Sequence, residues 1–247
     1  MPVFLIMLAI APVIGSFLGV LAQRLPEGRS VAWSRSACDR CGHVLAPADL
    51  VPIGSWLALR GLCRYCRAPI GRFTLAIELA AVGVVAWAAL QTSGWALVAD
   101  CFLGWMLLAL AAVDWRAFIL PDSLTLPLLA SGLAVASWLR PPWVDHLIGA
   151  AAGFVVFWFL ALVYRLLRGR EGLGLGDAKL LAALGAWLSW QGLPTVLLWA
   201  SMLGLGFALV RAAAGMGLRL SDRIPFGVFL AGGGWLVWLY RPPWLGW

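Results

Sequence analysis

Charge is scarce in this chain: Asp, Glu, Lys and Arg together make up 12% of its 247 residues. A soluble domain carries about 25%, so a water-soluble globular class is excluded at the outset. Histidine is almost missing, at two residues, and no Ser-His-Asp set is visible in the polar segments bordering the apolar runs. Serine-type hydrolysis therefore lacks its usual groups. No basic region precedes the first apolar run, since Met1 to Gln23 contains no charge and the first cation is Arg24. A cleaved signal peptide places charge ahead of its apolar core, so this segment reads as a retained first span. Internal repeats and low-complexity tracts are also lacking.

What is abundant is apolar surface. Hydrophobic residues account for 63% of the chain, with 16 tryptophans, and the mean hydropathy is +0.92. Amphipathic indole rings collect at membrane interfaces. A helix crossing the hydrocarbon needs about 20 apolar residues. Runs of about that length lie at 3–22, 73–91, 95–113, 122–139, 145–167, 178–191, 193–211 and 224–241, with the sixth and seventh divided at Gln191-Gly192-Leu193-Pro194. The expected architecture is an all-α polytopic membrane protein of about eight transmembrane helices.

The formal net charge of +7 could suggest nucleic acid, but the cations sit in short loops between apolar runs, as membrane orientation requires. With the N-terminus outside, loops 23–72, 114–121, 168–177 and 212–223 face the cytoplasm, and of the 18 Lys and Arg only Arg140 and Arg241 fall on the other side. Positive residues resist translocation, so this asymmetry predicts a periplasmic N-terminus and an even number of spans. The division expected is a first span at 1–23, a small cytoplasmic domain at 24–72 and a seven-helix membrane domain at 73–247.

The 24–72 segment is too small and too polar to build a large core unaided, and such domains need a metal, disulfides or docking. It holds four of the five cysteines. Cys38-Asp39-Arg40-Cys41 and Cys63-Arg64-Tyr65-Cys66 are two C-x-x-C pairs, a spacing that turns both sulfurs of each pair toward one point and together completes a tetrahedral S₄ site for Zn²⁺. Disulfides are disfavoured in a reducing compartment. His43 could stand in for a thiol, yet four cysteines already satisfy the site. Cys101, within the third run, reads as a packing residue.

Carboxylates at the edge of a span are costly and mark function by default. Asp114 closes the third run and Asp177 opens the sixth, and the topology brings both to the cytoplasmic edge. Gly174 and Gly176 lower the bulk beside Asp177. Two facing carboxylates cannot both ionise easily, so one holds a proton while the other activates water, the division of labour of general acid–base hydrolysis. Spacing by itself equally allows Asp177 to cap the sixth helix and Asp114 to pair with Arg116. Asp122 reads as an N-cap, Asp100 as a solvated group near the outer interface, and Glu78 is left without an assigned role.

Several motifs occur in a fixed order. Gly15-Ser16-Phe17-Leu18 leads to Arg24-Leu25-Pro26. The cysteine pairs flank Ser55-Trp56-Leu57 and Leu59-Arg60-Gly61. Val113-Asp114 runs on to Leu120-Pro121-Asp122-Ser123-Leu124-Thr125. Gly174-Leu175-Gly176-Asp177-Ala178-Lys179 and Ile224-Pro225-Phe226-Gly227 follow. In these the chain resembles, over nearly its whole length, the bacterial prepilin peptidases (type IV leader peptidases).

The resemblance implies an aspartic endopeptidase of the bacterial inner membrane with Asp114 and Asp177 as catalytic residues. It would cleave type IV prepilins or type II secretion pseudopilins after a glycine, on the cytoplasmic side. It implies, too, N-methylation of the new N-terminus with S-adenosylmethionine, at a binding site the motifs do not locate. Gly19 departs from the family pattern, which has asparagine there. The basic leader would meet a basic face whose acidic groups are Glu27, Asp39, Asp49, Glu171 and Asp222, and anionic lipid attracts each cation of such a leader by ~1 kcal/mol. Two other readings stand beside this one: a different G-x-G-D intramembrane protease cutting within a span, and an ion or solute transporter with a metal-sensing loop.

Overall fold

The structure, a computed structural model, describes residues 1–31, 35–139, 143–169, 174–215 and 224–240. Among these residues it is helical, and extended pairing is limited to two isolated bridges in the cysteine segment, Ala37 with Val44 and Leu62 with Pro69. The helices are α1 (Pro2–Arg24), the short α2 (Gly54–Ala58), α3 (Arg72–Ala89), α4 (Ala96–Ala117), α5 (Asp122–Leu139), α6 (Trp143–Arg168), α7 (Leu175–Ala213) and α8 (Phe226–Tyr240). Within the described residues α1, α3, α4, α6 and α7 are long and apolar enough to cross a membrane, and α5 and α8 are shorter apolar helices. The chain is thus an all-α polytopic membrane protein. Arg140, Glu171, Asp222 and Arg241 lie outside the described residues.

One boundary differs from the sequence expectation. The sixth and seventh runs are not parted by a loop at 191–194. They are two helical stretches, together labelled α7, that meet at a break at Ser189, where φ is 58° and ψ is 176° and the backbone is not helical. Straight, its 39 residues would extend about 58 Å at 1.5 Å per residue, roughly twice the hydrocarbon thickness. The break divides it into 175–188, short of a full span, and 190–213, of spanning length. Its causes are local: the Ser189 hydroxyl donates to the Gln191 side chain, and Pro194 lacks the N–H that would bond the Trp190 carbonyl.

The chain folds as two compact units, Met1–Ala112 and Val113–Trp247. In the first, α1 lies against α3 across two glycines one helical turn apart. A Cβ on Gly15 would fall 2.6 Å from the Glu78 Cα, and one on Gly19 would fall 3.2 Å from the Thr74 methyl. The Gln23 amide donates to the Thr74 hydroxyl at 3.2 Å, extending the same seam. In α4, the Trp105 indole donates to the Ala81 carbonyl of α3 at 3.1 Å. Small residues at such seams let helix backbones approach where no hydrophobic force drives them together.

In the second unit α7 is central and packs on α5, α6 and α8. The α6 pair Gly149 and Gly153 meets α7 backbone: a Cβ on Gly149 would sit 2.6 Å from the Gly185 carbonyl oxygen, and one on Gly153 2.6 Å from that of Leu181. Trp187 is buried, donates its indole N–H to the Leu128 carbonyl of α5 at 2.9 Å, and meets Trp238 of α8 edge-on at 5.2 Å. A polar handle and a large apolar body make one tryptophan lock three helices.

Candidate active site and cysteine centre

Asp114 and Asp177 come together in the second unit. Both line one cavity of about 260 Å³, with Phe118, Ile119, Leu120, Gly174 and Gly176. Asp114 stands in the last turn of α4 and is buried, while Asp177 stands in the first turn of α7 and is half-buried. Asp114 Oδ2 accepts the backbone N–H of Val228 at 3.1 Å. Val228 is in the first turn of α8, where N–H groups lack partners inside the helix, so the carboxylate meets a free donor and the positive end of the helix dipole. The approach depends on Gly227, because a Cβ there would lie 2.8 Å from Asp114 Oδ2 and 3.0 Å from Leu120 Cδ1.

Opposite, the Asp177 N–H donates to the Gly174 carbonyl at 3.1 Å, closing the turn that leads into α7. A Cβ on Gly176 would fall 2.9 Å from the Leu120 Cβ, so this glycine is what lets the G-x-G-D turn lie against the segment following Asp114. That segment turns at Phe118, whose φ is 56° and whose N–H donates to the Asp114 carbonyl at 2.9 Å. Two elements distant in sequence are thereby held at one opening. The Ile224-Pro225-Phe226-Gly227 motif had no assigned role in the sequence; it leads the α8 N-terminus onto Asp114.

Three other acids depart from, or complete, their sequence readings. Asp122 opens α5, but its carboxylate accepts the Lys179 ammonium at 2.6 Å and is an ion-pair partner rather than an N-cap. Lys179 is two positions beyond Asp177, so the pair ties α5 to the start of α7. Asp100 is not solvated; it is buried and accepts the Thr92 hydroxyl. Glu78 is 5% exposed, and its Oε2 accepts the Ile53 N–H at 2.7 Å. It thereby anchors a loop residue held at φ 60°, a conformation costly for a β-branched side chain.

The four cysteines of the loop converge as their spacing predicts. The sulfurs of Cys38, Cys41, Cys63 and Cys66 lie within 4.8 Å of one another, and Cys38 and Cys66 are 3.8 Å apart. Tetrahedral Zn²⁺ with Zn–S bonds of about 2.3 Å needs sulfur–sulfur edges of about 3.8 Å, so the donor set and its size fit this metal. None of the four is in a disulfide.

The two halves of the centre repeat one another. Gly42 N–H bonds the Cys38 carbonyl at 2.8 Å and Arg67 N–H bonds that of Cys63 at 3.0 Å, with φ of 69° and 58° at those residues. The backbone N–H of Cys41, assisted by that of Arg40, holds the Cys38 thiol down to about 6, which supplies the thiolate a metal requires. His43 stacks on Tyr65 with ring centroids 3.6 Å apart and stands outside the sulfur cluster. Beside the centre, Arg64 Nε donates to Asp49 Oδ1 at 2.6 Å, and this bond keeps the Asp49 carboxyl below the ordinary range.

A helical membrane protein with two acids on one cavity and a separate cysteine centre defines a class: membrane-embedded proteins with a paired-aspartate site. Comparison with known proteins then identifies the lineage. The chain belongs to the Type IV leader peptidase family, whose profile matches residues 101–209, and the bacterial peptidase A24 N-terminal domain matches residues 9–92. It is 42% identical to the prepilin leader peptidase/N-methyltransferase of Burkholderia pseudomallei (strain 1026b), over 94% of this chain and 83% of that one. The protein of the same description from Aeromonas hydrophila is 41% identical over 92% of this chain and 87% of its own. That of Pseudomonas aeruginosa is 38% identical, with the same coverage. No solved structure matches.

Proposed function

We propose that this protein removes the basic leader from type IV prepilins or type II secretion pseudopilins, with Asp114 and Asp177 as the catalytic pair. The observation carrying this reading is that both carboxylates line one cavity, a placement that neither a helix cap nor a pairing of Asp114 with Arg116 would require. One carboxyl is neutral and the other ionised, and the pair titrates as a unit. The ionised member takes a proton from water as the water oxygen attacks the scissile carbonyl carbon. The neutral member donates to the developing oxyanion and then, as the C–N bond breaks, a proton passes to the amine. Val228 N–H and Gly227 hold Asp114 in register, and the Lys179–Asp122 pair steadies the turn bearing Asp177.

The Lys and Arg distribution supports eight spans with a periplasmic N-terminus and the 24–72 loop in the cytoplasm. On that reading the pair lies at the cytoplasmic face of the inner membrane. Cys38, Cys41, Cys63 and Cys66 are the residues that would hold a structural Zn²⁺. Substitution of Asp114 or Asp177 by Asn is expected to abolish cleavage of a prepilin-like peptide by protein that still inserts. Cleavage at the wild-type rate by either variant would refute the pair, and a cut inside the apolar segment would favour an intramembrane protease of another kind.

The second activity named for the relatives also fits this reading. S-adenosylmethionine supplies an electrophilic methyl group. That methyl group would pass to the N-terminal amine freed by cleavage, with the sulfur as leaving group and the amine's proton released. Incubating the protein with a prepilin-like peptide and labelled methyl donor, followed by mass analysis of both fragments, reports cleavage and methylation together.

A further inference from the structure

Beside the aspartate cavity stands a charge pair that takes no part in the proton transfers. Asp122 opens α5, where a short acidic side chain ordinarily caps the free N–H groups of the first turn. Here the backbone performs that duty: Leu124 and Thr125 both donate to the Pro121 carbonyl, at 3.0 and 3.1 Å. The Asp122 carboxylate is thereby left to face outward and accepts the Lys179 ammonium at 2.6 Å. In that contact its side chain remains 56% exposed and that of Lys179 34%. Asp122 follows Leu120 by two positions and Lys179 follows Asp177 by two, and both Leu120 and Asp177 line the cavity. The pair therefore stands next to the opening through which a peptide reaches the carboxylates.

The other described acids of this unit are engaged elsewhere. Asp114 and Asp177 face the cavity, and Asp145 accepts the Trp190 indole and the Gln191 amide. That leaves Asp122, among the described residues of the unit, as the carboxylate both exposed and adjacent to the site. An exposed ion pair contributes little, because water solvates both charges nearly as well. Lys179 carries its charge on a flexible stem, so an incoming cation exchanges with it at small cost. A substrate with several cations ahead of the scissile bond gains from that exchange, and a neutral one does not.

We propose that Asp122 is a specificity-determining residue that receives a cation of the substrate's leader, with Lys179 holding the carboxylate until substrate displaces it; this rests on the peptidase reading above. Recognition is then a difference between two cations at one carboxylate, which discriminates against leaders poor in positive charge. A purely structural pair would instead support the turn before Asp177 for every peptide alike.

The test uses full-length, zinc-loaded protein in detergent and prepilin-like peptides that differ only in the leader, which carries lysines, glutamines or glutamates. Steady-state kcat and KM are measured for each. The wild type is expected to show its lowest KM with the lysine leader, and added salt is expected to raise that KM, since exposed charges are screened. Asp122→Asn keeps an oxygen for Lys179 and removes the charge. It is expected to raise KM for the lysine leader about fivefold more than KM for the glutamine leader, the scale of one exposed ion pair. The double variant Asp122→Lys with Lys179→Asp retains opposite charges across the pair, and with them the support of the turn, but puts the cation at the more exposed position. Its preference for the lysine leader is expected to be lost. If the double variant does not fold, Asp122→Asn decides alone. A wild type without leader preference, or variants in which the preference persists or all peptides suffer alike, overturns the assignment of Asp122 and leaves the peptidase reading intact. Failure of the wild type to cut any of the peptides overturns that reading itself, and this proposal with it.

Discussion

Gly227 shows how much of the candidate site depends on a missing side chain. Its backbone lets α8 present the Val228 N–H to Asp114, and a methyl group there would contact both the carboxylate and Leu120. Gly227→Ala is therefore expected to lower kcat for prepilin cleavage by roughly tenfold to a hundredfold, with KM changed far less, since displacement by about 1 Å spoils catalytic geometry. Steady-state kinetics on a peptide substrate checks this. Arg67 illustrates the opposite case. It occupies the left-handed position that Gly42 fills in the first half of the cysteine centre, and a non-glycine residue there is strained. Arg67→Gly is expected to stabilise the loop by about 0.5–1 kcal/mol, read as slower release of zinc to a chelator. Gly19, where the family pattern has asparagine, lies 3.2 Å by its would-be Cβ from the Thr74 methyl. A larger residue would require that contact to give way.

At the scale of elements, the helices meet through glycines because lipid offers no hydrophobic drive for their association. The α6–α7 seam is the tightest in the second unit, and Gly149→Ala would place a methyl 2.6 Å from the Gly185 carbonyl. Overpacking of this kind costs about 1–3 kcal/mol. The expected result is a lower midpoint of thermal unfolding in detergent, with loss of activity following loss of fold. The cysteine loop depends on a different force. It has two isolated bridges and two short helical turns rather than a large core. Stripping zinc should therefore release the segment around residues 36–70 to proteolysis, because binding free energy is folding free energy in a small metal domain. Limited proteolysis before and after chelation, followed by mass mapping, checks this; equal resistance in both states would refute the structural metal.

For the whole molecule, the distribution of charge sets the expectation. With 16 tryptophans and 12% charged residues, the chain has the bilayer as its principal solvent, and its cations set its orientation. A membrane-impermeant thiol reagent applied to intact cells should leave Cys38, Cys41, Cys63 and Cys66 unlabelled. The same reagent should reach them in inverted vesicles once metal is removed. Labelling in intact cells would reverse the proposed topology.

Helical class, apolar runs and the cysteine centre were legible in the sequence because each is a local property. A span follows from the hydropathy of about twenty neighbours, and a zinc knuckle from the two-residue interval between thiols. The sixth and seventh runs divide at 191–194 by the turn signals of Gly192 and Pro194, and the structure breaks them a few residues earlier, at Ser189, where the backbone leaves the helical region. Asp122 and Asp100 were misread because Lys179 and Thr92 become their partners only after folding. The two aspartates were conspicuous as intramembrane acids, but their chain positions could not decide between a helix cap, a local ion pair and a shared cavity. That choice needed α4, α7 and α8 assembled: a carboxylate's role depends on which groups face it, and here those groups come from three distant stretches of chain.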